Sequence, residues 1–190
     1  ALGIDALAHQ TALEAGGKTI AVLGSGLDKQ NIYPSSNRFL AKKIIESGGL
    51  LLSEYPPGTM PLKQHFPARN RLISGLSLGV LVIEAPESSG ALITAKYALE
   101  QNRDIFAVPG AIYSLNSVGS NNLIKHGAKL VLIAVDILTE LNIQTVFQAI
   151  KTEPKFDKDE EKMIWDLLSK EPAHIDKIKK MSTLNINVLL

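Results

Sequence analysis

The chain has 190 residues, 45% of them hydrophobic, with 20 Lys and Arg against 19 Asp and Glu for a formal net charge of +1. That is enough apolar material for one core and a small second one, and the balanced charge means that any nucleic-acid partner must be met by a local patch. Cysteine is absent and the four histidines make no metal spacing, which excludes disulfides and thiolate zinc sites and leaves neither a metal nor a cofactor to be expected.

Residues 4–15 place Ile4, Leu7, Ala8, Thr11, Ala12 and Ala15 at helical spacing, and Gly16-Gly17 supplies the stop. Residues 19–23 are a short apolar run bounded by glycines, which fits a strand buried on both faces. Gly24, Ser25 and Gly26 follow it, and glycines at the carboxyl end of a parallel strand let backbone approach a ligand, so these three are candidates for a phosphate-holding rim. As a dinucleotide fingerprint the run is incomplete: no third glycine opens a helix, and residues 28–31 and Tyr33-Pro34 intervene. The unit then repeats, with a helix over 37–47 after Ser35-Ser36, a stop at Gly48-Gly49 and a second strand over 50–53.

Residues 56–90 are the centre of the chain. Between Pro56 and Ile83 there is no acidic residue, yet Lys63, Arg69 and Arg71 fall close together with His65 and Phe66 between them. Pro56, Pro57, Pro61 and Pro67 argue against continuous helix before Ala68, which predicts a shaped loop carrying Lys63 and Phe66 and a helix start near Pro67. Cations, an aromatic and a helix N-terminus are the parts needed to hold phosphates and stack a base; a solvated basic loop is the plain alternative.

A third strand is expected over 78–83, with Glu84 at its carboxyl end, then a helix over 91–101 that begins just past Ser89 and Gly90. A fourth strand over 104–108 ends in Pro109-Gly110, a helix stopped by Gly127 follows, and 129–133 is the fifth strand. Helices alternating with short, nearly all-apolar strands predict an α/β fold, a parallel sheet wrapped by helices on both faces. Its five loops converge on one rim, where Ser89 and Gly90 join the glycines of the first loop as candidate anion contacts, although such residues also serve merely to turn the chain.

The domain expectation is 1–141 for the sheet domain and 142–158 for a linker, including the charged stretch 151–157 with Pro154. A small helical tail over 159–190 resembles the start of a winged-helix domain. Ile137, Leu138, Leu141, Ile143, Val146, Phe147 and Ile150 make an apolar series that either faces the core or is covered by a partner. No apolar run reaches the roughly 20 residues that span a bilayer, so a cytoplasmic location with no membrane contact is the default expectation.

Eight motifs in order carry a resemblance to a known family: G-I-D-A-L-A-H-Q-T-A-L at 3–13, T-I-A-V-L-G-S-G-L-D at 19–28, Y-P-S-S-N at 33–37 and L-S-E-Y-P-P-G at 52–58, then F-P-A-R-N-R-L-I-S-G-L-S at 66–77, E-A-P-E-S-S-G-A-L-I-T-A at 84–95, A-V-P-G at 107–110 and G-S-N-N-L-I-K-H-G-A at 119–128. The chain resembles the DNA processing protein A family, also called DprA or Smf. The resemblance implies a Rossmann-like, doubly wound, mostly parallel sheet followed by an incomplete winged-helix-like domain. It also implies binding and protection of incoming single-stranded DNA, loading of the RecA recombinase during natural transformation, and a homodimer.

Carried over by position, the family's DNA pocket falls on Lys63 and Phe66, with Arg69, Asn70 and Arg71 beside them. One arginine is expected to face phosphate and the other to buttress the loop through Glu84 or Glu54. The family's glycine-serine-arginine motif, which precedes Gly3 in the pattern, is not in the sequence, so the chain reads as a fragment with an incomplete pocket. Two other readings use the same residues: a nucleotide-hydrolysing enzyme with Glu84 beside Ser88, Ser89 and Gly90, and a nucleotide sensor filling the rim at residues 24–26.

Overall fold

A computed structural model describes residues 3–143, all within one unit, Ala1–Thr145. The expected tail at 159–190, and all of the expected linker but its first two residues, lie outside the described residues. Five strands alternate with six helices: α1 (Ile4–Glu14), β1 (Ile20–Val22), α2 (Arg38–Glu46), β2 (Leu50–Leu52), α3 (His65–Gly75), β3 (Gly79–Val82), α4 (Gly90–Glu100), β4 (Asp104–Ala107), α5 (Val118–Lys125), β5 (Lys129–Leu130) and α6 (Ala134–Glu140). Every strand pair is parallel. The architecture is the expected α/β, Rossmann-like one, because each strand is too short and too apolar to stand without helices over it.

The hydrogen-bonded ladder falls into two pieces where the sequence suggested one sheet. β1 pairs with β2, Ile20 opposite Leu50, and β3, β4 and β5 pair in that order, with Gly79 opposite Asp104 and Phe106 opposite Lys129. Helices join the pieces. α3 packs along α4 and touches β1, and Arg69 of α3 donates from its guanidinium to the Val22 carbonyl. Asn70, one position on, donates to the Gly90 carbonyl at the start of α4, at 3.4 Å. Further along, the Gly119 amide of α5 donates to the Ala85 carbonyl at 2.7 Å. The carboxyl ends of β1 and β3 and the amino ends of α3, α4 and α5 are thus linked, the geometry that places ligands in open α/β sheets.

The core is small and tightly fitted. Val82, Ala85 and Ala95 form its centre, with Val80, Leu92, Ile105 and Leu123 packed around them. The ring of Phe106, 1% exposed, lies so close over Gly79 that a Cβ there would meet Cε2 at 2.7 Å. The small residue in β3 and the large one in β4 are therefore one packing decision. Lys129 ties the far edge together by donating to Asp104 at 2.8 Å and to Glu140, which joins β5 to β4 and α6.

The helix stops fall where the sequence puts them. After α1 the chain passes through Ala15 to Gly16 at φ 73°, and after α2 through Ser47 to Gly48 at φ 76°, left-handed conformations that suit glycine. The start of α3 differs from expectation. It begins at His65, three residues before Ala68, with Pro67 inside its first turn. The first-turn N–H groups of a helix have no intrahelical partner, so a proline there removes nothing. Phe66 consequently stands on the helix and not on a loop, while Lys63 occupies the turn just before it.

Candidate functional site

The loop after β1 is built from the inside. Ser25 is 2% exposed; its hydroxyl donates to the Asn31 carbonyl at 2.8 Å, and its carbonyl accepts from the Ser53 hydroxyl at 2.6 Å. The Gly26 amide donates to the Thr59 carbonyl at 2.9 Å, and a Cβ on Gly26 would meet the Pro56 carbonyl oxygen at 2.7 Å. The Asp28 carboxylate accepts from the Gly58 amide at 2.5 Å and from Asn31 Nδ2 at 3.2 Å. The Gly58 N–H, first among these influences, holds the Asp28 carboxyl below its ordinary range.

These contacts correct the rim expectation at two of its residues. The Gly26 amide is spent on Thr59 and the Ser25 hydroxyl on Asn31, so neither of these two donors is open to a phosphate. The nucleotide-sensor reading needs the rim at 24–26, where these two donors are already used. The Ser89 hydroxyl accepts from the Ala91 amide at 3.2 Å and caps α4, which leaves its O–H to donate elsewhere. Gly90 opens α4 from an exposed position with open space where a side chain would be.

Gly24 is the base on which the aromatic part of the site rests. A Cβ there would meet Phe66 Cδ1 at 3.1 Å, so the phenyl edge sits directly against the glycine. The adjacent His65 donates from Nδ1 to the Gly24 carbonyl at 3.1 Å, and its ring stacks on Tyr55 with centroids 4.1 Å apart and planes 22° from parallel. Tyr33 meets Phe66 from another side, with centroids 5.8 Å apart. Neither tyrosine was singled out from the sequence. Their only signal there is an aromatic at each of two loops that end on the same rim, and spacing along the chain does not reveal that the loops meet.

The basic residues separate into three environments. Lys63 is exposed and forms no ion pair among the described residues. Arg71 donates to both oxygens of Glu54, at 2.6 and 2.5 Å, so of the two carboxylates expected to buttress an arginine it is Glu54 that does so. Arg69 turns inward: besides its bond to Val22 it donates from Nε to Asn70 Oδ1 at 3.2 Å, and its guanidinium carbon lies 5.9 Å from the Phe66 centroid. Burial lowers the Arg69 pKa, an effect partly offset by Asp5. The expectation that one arginine faces phosphate is therefore revised, since both guanidinium groups are engaged within the protein. Asn70 is buried and tethers α3 to α4.

Of the remaining histidines, His126 donates from Nδ1 to the Asn122 carbonyl at 2.7 Å, closing the end of α5 as its position suggests. No group of His, Asp and Glu among the described residues is arranged to hold a metal ion, and no described helix is long and apolar enough to cross a membrane.

Parallel strands alternating with helices make this a domain of the Rossmann-like α/β class. Residues 1–142 match the family model of DNA recombination-mediator protein A, and the chain belongs to that family. It is 54% identical over 140 residues to DNA processing protein DprA of Streptococcus pneumoniae, covering 74% of this chain and 49% of that protein. It is 51% identical over 141 residues to protein Smf of Escherichia coli, covering 74% of this chain and 37% of that one. The chain thus spans half or less of the length of these relatives.

Two solved structures share the fold. The X-ray structure of DNA processing protein A from Streptococcus pneumoniae superposes with a TM-score of 0.67 at 51% identity, over 73% of this chain and 48% of that one. DNA processing protein A from Helicobacter pylori, whose structure concerns a single-stranded DNA binding mode, superposes with a TM-score of 0.65 at 34% identity, over 75% of this chain and 63% of that one.

Proposed function

We propose that this domain binds single-stranded DNA at the start of α3, as a binding module and not an enzyme. The observation that carries the reading is the placement of Phe66 on Gly24, with Lys63, an exposed ammonium that forms no ion pair among the described residues, in the turn just before the helix. An ammonium with no carboxylate partner gains most from a phosphate, and a ring backed by rigid backbone loses little freedom when a base stacks on it. Base stacking is worth about 1–3 kcal/mol and is indifferent to base identity, so sequence preference is slight. Arg71 joins the phosphate contacts to the extent that Glu54 releases it, and Gly90 supplies an open backbone position.

Membership of the recombination-mediator family supports the wider role that we propose with it, protection of incoming strands in natural transformation and loading of RecA by a cytoplasmic homodimer. Fluorescence anisotropy with single- and double-stranded oligonucleotides at two salt concentrations tests the binding reading. Preference for the single strand, weakened by both Lys63→Ala and Phe66→Ala, is expected. Equal affinity for single strand and duplex, or binding unaffected by either substitution, rejects it.

A further inference from the structure

Tyr33 and Phe66 are neighbours that meet solvent differently. Phe66 is half-buried with one edge on Gly24, whereas Tyr33 is 60% exposed. Their centroids stand 5.8 Å apart and their planes are inclined at 48°, within the range of a direct aromatic contact. A base sandwiched between them would need about two stacking steps of 3.4 Å each, with the rings parallel. The pair cannot accept one, so each ring offers only its outer surface.

The loop that carries Tyr33 is anchored on both sides. Before it, Ile32 is buried, the Asn31 amide donates to the Asp28 carbonyl at 2.8 Å, and Arg38 Nη2 donates to the Gln30 carbonyl at 2.6 Å. After it, the Asn37 amide donates to the Pro34 carbonyl at 3.0 Å. A large ring held in water on tied backbone has little conformational entropy left to lose on binding, and a flat apolar ligand would recover the exposed area.

We infer that Tyr33 is a second base-stacking platform, so that the site takes two unpaired bases, one on the outer face of Tyr33 and one on Phe66. The inference rests on the strand-binding reading of the site. It explains why an exposed tyrosine abuts the more protected phenylalanine, and it favours unpaired over paired strands, since duplex bases are already stacked on one another.

The test uses the full chain and an oligonucleotide carrying 5-iodouracil, photocrosslinked, digested with trypsin and mapped by mass spectrometry. Adducts are expected on peptide 30–38, which carries Tyr33, as well as on peptide 64–69, which carries Phe66. In parallel, Tyr33→Ala is expected to weaken single-strand binding about 5- to 150-fold with an unchanged salt slope; Tyr33→Phe and Tyr33→Trp stay within about threefold of wild type. If Lys63→Ala and Phe66→Ala weaken binding but Tyr33→Ala does not and 30–38 carries no adduct, the second platform is overturned and the strand-binding reading stands. If wild type fails to bind single strands, both fall.

Discussion

Arg71 on α3 donates from Nη2 to both carboxylate oxygens of Glu54, at 2.6 and 2.5 Å, while Lys63, eight residues earlier, has no such partner among the described residues. Both members of the pair are about half exposed, so the bridge contributes only about 0–1 kcal/mol to stability. Its larger effect is to mask a positive charge beside the proposed strand path. Glu54→Gln should therefore tighten single-strand binding and steepen its salt dependence, with the melting temperature almost unchanged. Lys63→Ala should flatten the slope of log K against log salt by about 0.7, the value for one phosphate contact on a single strand. A salt titration of the two variants beside wild type decides it. A flatter slope for Glu54→Gln would show that Arg71 is not released toward the strand.

The parts of this molecule that were legible in the sequence are those set by local rules. Apolar runs of four or five residues gave the parallel strands, and Gly16 and Gly48 gave the stops of α1 and α2, because strand burial and left-handed turns leave a mark at the residue concerned. The start of α3 was misplaced because proline reads as a breaker, although in a first turn it costs nothing. The engagement of the Gly26 amide is hidden from the sequence for a different reason. Whether a glycine amide is free depends on what lies over it, and the cover comes from Thr59 and Pro56, some thirty residues away. Arg69 belongs to the same class: its partner is the Val22 carbonyl, and a carbonyl has no sequence signature.

That inward arginine leads to a prediction that separates position from charge. Arg69 bonds Val22 with one arm of its guanidinium and Asn70 with another, a fork that lysine cannot reproduce. Arg69→Lys should leave the Val22 carbonyl or Asn70 short of a donor and cost about 1–3 kcal/mol, which for a chain of this size lowers the melting temperature by about 2–4 °C per kcal/mol. The salt slope of strand binding should barely move, since the charge is spent inside the domain. Thermal unfolding and anisotropy on the same preparation check both halves.

Gly24 tests the aromatic half of the site. Its missing side chain leaves room for Phe66 Cδ1 at 3.1 Å and the backbone carbon of His65 at 3.4 Å. The phenyl ring can give way by a few tenths of an ångström and the helix backbone cannot do so cheaply. Gly24→Ala is expected to push the ring outward, destabilise the domain by about 1–3 kcal/mol and weaken single-strand binding with an unchanged salt slope. Wild-type affinity in a folded Gly24→Ala protein would mean that the ring's seat on Gly24 is irrelevant to binding.

The last prediction concerns acid. His9 of α1 shares a hydrogen bond with the Thr19 hydroxyl at 2.7 Å, which ties the helix to the chain just before β1. Burial is the largest influence on its ring and lowers its pKa below the ordinary 6.5, against a smaller upward pull from Asp5. In the unfolded chain the imidazole takes a proton near 6.5, whereas in the folded domain it resists protonation until lower pH. Between those two values the unfolded state binds more protons, so stability rises with pH across the window. The contribution is complete above 6.5 and is lost as pH falls through the folded pKa. Asp28, whose carboxyl is held below its ordinary value of 3.8 by the Gly58 amide, extends the same trend to more acid conditions, because its stabilisation is present above 3.8 and disappears below its folded pKa. Denaturant unfolding from pH 7.5 down to 5 should therefore show a fall in stability that His9→Gln removes, while Asp28→Asn leaves that step in place and removes part of the loss seen below pH 4. An unchanged profile in His9→Gln would show that the imidazole is protonated as readily in the folded domain as in the free chain.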